Sequence, residues 1–283
     1  MESSAGEWEQ PAQPEQFGPY TLHELINRGG MSEIWLATNP ENQSVAIRRL
    51  HSVSKFDFTT KSRFVHGARV LSQIDQNDLI VKYIEHGKIN GTHFLAMEYI
   101  EGSNLKLLSA EGDPVVGENV ASLLIDMAVA LEHVHDCGFV HMDFKPENVL
   151  VTRNGNMRLI DFDIAIEKPE MPVKAKSNPG TPAYMAPEQF LRQPINQRVD
   201  IFAYGVTAYE LLTGQKPFPG DSPDEILYKQ LNRNDFANPR DLNPEIPPAM
   251  EKLILKCIDT TPDKRYPFMS VLVRDVQSAL YVK

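Results

Sequence analysis

The string His141-Met142-Asp143-Phe144-Lys145-Pro146-Glu147-Asn148 constrains this 283-residue chain more than any other stretch. An Asp, a Lys two residues on and an Asn five residues on suit phosphoryl transfer. The carboxylate can orient a hydroxyl nucleophile and accept its proton, the ammonium offers a point charge to a moving phosphoryl group, and the amide oxygen can ligate Mg²⁺. The bland alternative is a solvated loop with one buried histidine. Beyond Asn148 stands Asp161, within Leu159-Ile160-Asp161-Phe162-Asp163. An Asp at the end of an apolar strand is placed to hold Mg²⁺ against phosphates.

The flanking texture predicts an α+β chain in two parts. Residues 1–17 carry Glu2, Glu7, Glu9 and Glu15 with no basic residue and read as a disordered acidic tail. Short apolar runs then alternate with turn residues: Tyr20–Ile26, Ile34–Ala37, Ser44–Leu50, Ile80–His86 and Thr92–Tyr99, with Asn90-Gly91 as a hairpin signal. One helix is expected among them, about Thr60–Ile74, with Phe64, Ala68, Leu71 and Ile74 on its apolar face. Past Gly102 the pattern turns helical over Gly117–Cys137, Asp200–Thr213, Ser222–Leu231, Ala249–Ile258 and Met269–Tyr281, with a strand-like Val149–Leu159. The boundaries are thus a β-rich lobe over about 18–101 and a larger α-rich lobe over about 102–283.

Composition removes other classes. Hydrophobic residues at 42% supply a core, and a formal charge of −10 argues against a nucleic-acid binder. Cys137 and Cys257 are the only cysteines, too few for a disulfide framework and suited to a reducing cytoplasm. The most apolar stretch, Val120–Val134, is interrupted by Asp126 and Glu132, so no membrane span is expected; the N-terminus lacks the pattern of a signal peptide.

Further strings follow in order: Gly180-Thr181-Pro182-Ala183-Tyr184-Met185-Ala186-Pro187-Glu188, Asp200-Ile201-Phe202-Ala203-Tyr204-Gly205, Lys216-Pro217-Phe218 and Lys264-Arg265-Tyr266-Pro267. With them, residues 20–280 resemble the protein kinase superfamily. Gly29-Gly30-Met31-Ser32-Glu33-Ile34 and Ala186-Pro187-Glu188-Gln189 are similar to the bacterial Ser/Thr protein kinases. Small-molecule kinases share the Asp/Asn loop but lack the Ala-Pro-Glu segment. The resemblance implies the bilobal kinase fold with ATP and Mg²⁺ in its cleft and a protein as substrate or partner. It makes Asp143 the base, Lys145 the phosphate-contacting lysine, and Asn148 and Asp161 the metal ligands. Arg28, Gly29, Gly30 and Arg48 would lie at the phosphates; Ile34, Ala46 and Leu150 would sandwich adenine. Met97 is the gatekeeper, with Glu98 and Ile100 in the hinge. Thr181 would tie the substrate loop to the catalytic loop, Glu188 would pair with Arg265, and Leu71, Tyr83, His141 and Phe162 would stack over Asp200.

The chain also departs from the family pattern. Arg48 stands where the ATP lysine is expected, and Gly67 where its helix glutamate is expected; no Glu occurs between Glu41 and Glu85. Asn27 and Ser32 replace loop glycines, Met142 replaces the Arg before the catalytic Asp, and Asp163 replaces the Gly of D-F-G. Arg for Lys at a phosphate site is not conservative. Met142 removes a cation that would bind a phosphorylated activation segment, so control by such phosphorylation is less expected. Of the segment's hydroxyls Ser177, Thr181 and Tyr184, the last two match structural positions of the family, which leaves Ser177 as the regulatory phosphosite candidate. Asp163 forfeits glycine's backbone freedom. The expectation is a pseudokinase with weak ATP binding and little or no transfer. The alternative is an active Ser/Thr kinase in which Arg48 or Arg28 takes over the phosphate contact. Finally, Arg48, Arg49, Lys55, Lys61, Arg63 and Arg69 face a single acid, Asp57, a net +5 suited either to solvation or to docking an acidic segment such as the tail.

Overall fold

The computed structural model describes residues 14–51, 58–174 and 180–281. They form two units: the chain up to Ser72 with Val81–Ile100, and Gln73–Ile80 with Glu101 onward. Gln73–Ile80, which precedes residue 101 in the chain, groups with the helical unit.

The first unit is a six-stranded antiparallel sheet with one helix. Its strands are β1 (Glu15–Phe17), β2 (Tyr20–Arg28), β3 (Ser32–Thr38), β4 (Ser44–Leu50), β5 (Tyr83–Ile89) and β6 (Thr92–Glu98), in the order β1-β2-β3-β4-β6-β5. Helix α1 (Phe58–Ile74) lies between β4 and β5 in the chain and buries Phe64, Ala68, Leu71 and Ile74, the predicted face. Asn90 and Gly91 adopt positive φ (50° and 82°) and close the β5–β6 hairpin, as that dipeptide favours. Strand side chains alternate faces. Val45 and Ile47 therefore enter an apolar cluster with Phe17, Tyr20, Leu22, Trp35 and Phe94, while Ala46 and Arg48 point the other way.

The acidic tail needs a correction at its end. Residues 1–13 lie outside the described residues, but Glu15–Phe17 is a strand paired with Tyr20–Leu22 through a turn at Gly18 (φ 57°). Phe17 is buried edge-on against Phe94 at 5.9 Å, and Glu15 holds Arg49 with two contacts, 2.6 and 3.2 Å. Among the described residues the first strand starts at Glu15, where Phe17 has an aromatic cluster to enter and Glu15 a cation to meet. One of the tail's acids does pair with the basic stretch; Lys55 lies outside the described residues.

The second unit contains β7 (Gly102–Asn104), α2 (Leu105–Glu111), α3 (Pro114–Asp136), β8 (Phe139–Val140), β9 (Val149–Thr152), β10 (Met157–Leu159), β11 (Ile166–Glu167), β12 (Val173–Lys174), α4 (Pro187–Phe190), β13 (Pro194–Ile195), α5 (Arg198–Thr213), α6 (Pro223–Leu231), α7 (Pro239–Leu242), α8 (Pro248–Cys257) and α9 (Met269–Tyr281). The strand expected over Val149–Leu159 is a hairpin, β9 against β10, turning at Gly155. Helix α2 escaped the sequence reading; Asn104 caps its N-terminus on the Leu107 N–H and Gly112 ends it in the left-handed region. Helix α3 starts three residues earlier than expected, with Asp113 as N-cap and Pro114 in its first turn. By length and composition α3 could cross a membrane, yet Leu123, Leu124, Met127, Ala128, Leu131 and Val134 are completely buried in this unit. Helix α5 is buried on every side from Val199 to Glu210, the mark of a central helix. It is what carries Asp200 into the interior.

Candidate active site

Cross-strand pairing collects Ile34, Ala46, Arg48 and Met97, four of the expected nucleotide residues of the first unit, on one sheet face. Ile34 lies opposite Arg48, and Ala46 opposite Met97. Arg48 donates from Nε to the Ser32 hydroxyl at 3.1 Å, and its guanidinium stands 5.2 Å from the centre of the Phe64 ring. Phe64 sits one helical turn before Gly67, on the same buried side of α1. Where the family pattern offers a carboxylate, this helix thus offers an aromatic face. Sequence reasoning missed Phe64 and Ser32 as partners of Arg48, although the spacing of Phe64 from Gly67 was a usable signal.

Arg28 belongs to the other face. It lies opposite Glu33, with its Nη2 3.3 Å from the carboxylate. Glu33 is buried and also receives Arg49, whose guanidinium stacks on Phe17 at 5.5 Å and Trp35 at 5.0 Å. Burial pushes the Glu33 carboxyl up, but the Arg49 hydrogen bond and the Arg49 and Arg28 charges hold it below its ordinary range. Between the faces runs the loop Gly29–Met31, closed by a Gly29 N–H to Ser32 carbonyl bond of 2.9 Å. Neither Gly29 nor Gly30 has a positive φ, and a Cβ on Gly30 would meet nothing within 4 Å. The fold itself does not demand glycine there, which fits a loop kept bare for a ligand's approach. Glu98 commits its N–H and its side chain to Lys82 (3.0 and 2.9 Å), and Ile100 follows β6 without regular structure.

The second unit assembles the reactive string tightly. Thr181 donates its N–H and its hydroxyl to one Asp143 oxygen, both at 2.9 Å. Lys145 Nζ lies 2.6 Å from the other Asp143 oxygen and 2.6 Å from the Thr181 hydroxyl. Asn148 gives its amide N–H to the Asp143 carbonyl at 2.9 Å, leaving the amide oxygen as the end for a cation. A backbone bond from Ile160 N–H to the Asn148 carbonyl, 2.9 Å, sets Asp161 beside it. A carboxylate and an amide oxygen suit Mg²⁺, which keeps waters and phosphate oxygens for its other positions; among the described residues no cluster of three or more His, Cys, Asp or Glu offers an all-protein cage.

Two residues here hold left-handed backbone, Met142 (φ 71°) and Asp161 (φ 65°), strain of the kind stored at functional sites. For Met142 the restraint is Asp200, which is fully buried and accepts the N–H groups of His141 at 2.7 Å and Met142 at 2.9 Å, and His135 Nε2 at 2.8 Å. Burial raises the Asp200 carboxyl, but these donors outweigh it and hold the group below its ordinary range. His135 was not anticipated; it lies one α3 turn past Leu131 and reads as core. Asp163 does not adopt positive φ, so the backbone cost expected from losing glycine is not incurred here. His141 and Phe162 are in ring contact at 5.0 Å, and Leu150 lies on β9; Leu71 and Tyr83 belong to the first unit. Ser177 lies outside the described residues.

Behind the string, Arg265 and Glu188 form the expected buried pair, bidentate at 2.6 and 2.8 Å, and Arg265 also donates to the Asp259 and Arg198 carbonyls. Tyr184, beside Thr181, gives its hydroxyl to Glu210 at 2.6 Å; burial and that carboxylate push the phenol up.

Residues 20–276 match the family model described as "Protein kinase domain". Among curated proteins, the chain is 31% identical over 273 residues to a probable serine/threonine-protein kinase of Streptomyces coelicolor, covering 93% of this chain and 40% of that protein. It is 30% identical over 266 residues to serine/threonine-protein kinase PknH of Mycobacterium tuberculosis, covering 93% and 42%. Against PknD of the same organism the figures are 32% over 262 residues, 89% and 38%. The chain therefore spans about two-fifths of the length of these relatives. An α+β chain whose buried Asp200 and Glu188–Arg265 pair brace an Asp143–Lys145–Thr181 cluster, and whose sequence matches that model over nearly its whole length, belongs to the protein kinase family.

Proposed function

We propose that this chain binds Mg·ATP weakly and transfers phosphate slowly to Ser or Thr hydroxyls of a protein. The carrying observation is the closed Asp143–Lys145–Thr181 cluster, which keeps the base oriented. In this reading Asp143 takes the proton of the substrate hydroxyl, and Lys145 offsets charge on the moving phosphoryl group. Asn148 and Asp161 hold Mg²⁺, which supplies neutralisation of phosphate charge. In the first unit Ile34, Ala46 and Met97 supply apolar surface for adenine, with the backbone near Glu98 and Ile100 for its edge. Arg48, held by Ser32 and Phe64, is the cation at the phosphates; the contact of Arg28 with Glu33 makes it the weaker candidate. If the missing Lys–Glu pair costs about 3–4 kcal/mol of transition-state stabilisation, transfer slows by a few hundred-fold. The free cysteines Cys137 and Cys257 support a reducing, cytoplasmic setting for this domain.

A second reading, a kinase-fold protein acting by binding alone, is favoured by the absence of any acidic residue in α1, Phe58–Ile74. Incorporation of labelled phosphate decides between them, with Asp143→Asn as the control. Signal that disappears in the control supports the slow kinase; no signal above the control supports the binding protein.

A further inference from the structure

The glycine-rich loop is held from the strand that carries Arg48. His51 is the first residue past β4, and it makes two bonds to the loop. Its N–H donates to the Met31 carbonyl at 3.0 Å, extending the β3–β4 ladder by one rung. Its Nε2 lies 2.9 Å from the Gly29 carbonyl, so the ring carries a proton at Nε2 and donates it there. Nδ1 then faces Glu33, 4.0 Å from the carboxylate oxygen that also meets Arg28. Among the described residues the loop is otherwise held by its own Gly29 N–H to Ser32 carbonyl bond and by the Thr60 hydroxyl 3.7 Å from Met31 Sδ; Met31 is 42% exposed, and the space around Gly30 is open.

We infer that His51 is a positioning residue for the glycine-rich loop, pinning the Gly29 carbonyl so that the loop's backbone N–H groups keep one arrangement for a phosphate-bearing ligand. A loop of bare glycines loses backbone entropy when it orders on a ligand. A side chain that fixes one peptide plane beforehand removes part of that loss, the usual advantage of preorganisation. The backbone N–H of His51 would hold Met31 whatever the side chain, so the imidazole specifically fixes Gly29. Glu33 backs the ring from β3, and it is itself anchored by Arg49, which links the clamp to Glu15 of β1.

The ligand half of this inference rests on the nucleotide reading above, and the test separates the two. In the full chain without ligand, hydrogen–deuterium exchange over residues 27–33 should speed up about fivefold in His51→Ala, the worth of one net hydrogen bond, and return toward wild type in His51→Gln, which keeps an N–H donor. Unchanged exchange in His51→Ala, or acceleration spread over the whole sheet, overturns the clamp. By calorimetry with Mg·ATP and adenosine, His51→Ala should weaken ATP about fivefold and adenosine not at all, with His51→Gln restoring ATP. Equal loss for both ligands overturns the link to phosphate. If the wild-type chain binds neither, the nucleotide reading fails while the exchange result still decides the clamp.

Discussion

Thr181 and Asp143, 38 residues apart in the chain, meet through two hydrogen bonds to a single carboxylate oxygen, each 2.9 Å long. The contact fixes the Asp143 carboxylate in one orientation, and the same hydroxyl receives Lys145. Removing the hydroxyl leaves the Thr181 N–H bond and the Lys145–Asp143 contact, but takes one partner from Lys145 and one donor from Asp143. Thr181→Ala should lower phosphate incorporation by about 10²-fold, within the range for positioned acid–base catalysis, while Thr181→Ser stays near wild type. Equal activity of the Ala and Ser variants would contradict this role.

Arg48 invites repair. Arg48→Lys with Gly67→Glu should raise phosphotransfer above wild type, and each change alone should do less, since the two would act as one pair. The contact with Phe64 adds a second arm. Phe64→Leu keeps an apolar side chain in the core and removes the ring, at a cost of about 0.5–2 kcal/mol in a cation–π contact, so transfer by the wild-type Arg48 background should fall several-fold. In the Lys/Glu double variant the same Phe64→Leu change should matter less. Initial rates with labelled ATP measure both.

The Glu188–Arg265 pair should dominate the stability of the helical unit. Arg265→Ala leaves the Glu188 carboxylate buried without its cation and strips two backbone carbonyls of a donor. Breaking a buried pair in this way costs about 3–5 kcal/mol, measurable as a lower urea midpoint or as failure to accumulate folded protein. A loss under about 1 kcal/mol, the size expected of a surface pair, would show that the bidentate contact contributes little.

Acid should attack the catalytic string through Asp200. Its carboxyl is held below the ordinary value, so the unfolded chain binds the proton more readily than the folded one. The stability it supplies is complete above the unfolded value of about 3.9 and is lost as pH falls through the lower folded value. Acid unfolding of wild type should therefore show a steep limb in that window, and Asp200→Asn should flatten it while lowering stability at neutral pH. Unchanged slopes would assign the acid transition to other carboxylates.

Control by activation-segment phosphorylation should be weak. Met142 occupies the place of the cation that would receive a phosphate and is buried, held by Asp200 rather than by any modified residue. Ser177→Ala and Ser177→Glu should leave nucleotide affinity and transfer within about threefold of wild type, or roughly 0.65 kcal/mol. A tenfold change in either variant would make the segment a phosphorylation switch.

Local sequence carried much of this protein. Motif spacing singled out Asp143, Lys145, Asn148 and Asp161, because reactive residue types at set intervals survive without any knowledge of packing, while Thr181 and the Glu188–Arg265 pair came from the resemblance to the kinase family. Period-two and period-3.6 patterns placed β4, β6, α1 and the long helices, since those periods are properties of a single segment. Tertiary structure decided what no interval reveals. Arg48 rests on Ser32 and Phe64, and Arg28 turns to Glu33 on the opposite face, because strand register, not sequence distance, sets which side chains meet. Asp163 escaped the expected backbone cost because the left-handed turn falls on Asp161 instead. Glu15–Phe17 left the tail and became a strand because an aromatic cluster and Arg49, brought together only by the folded sheet, give those three residues enough contact to offset the entropy of ordering them.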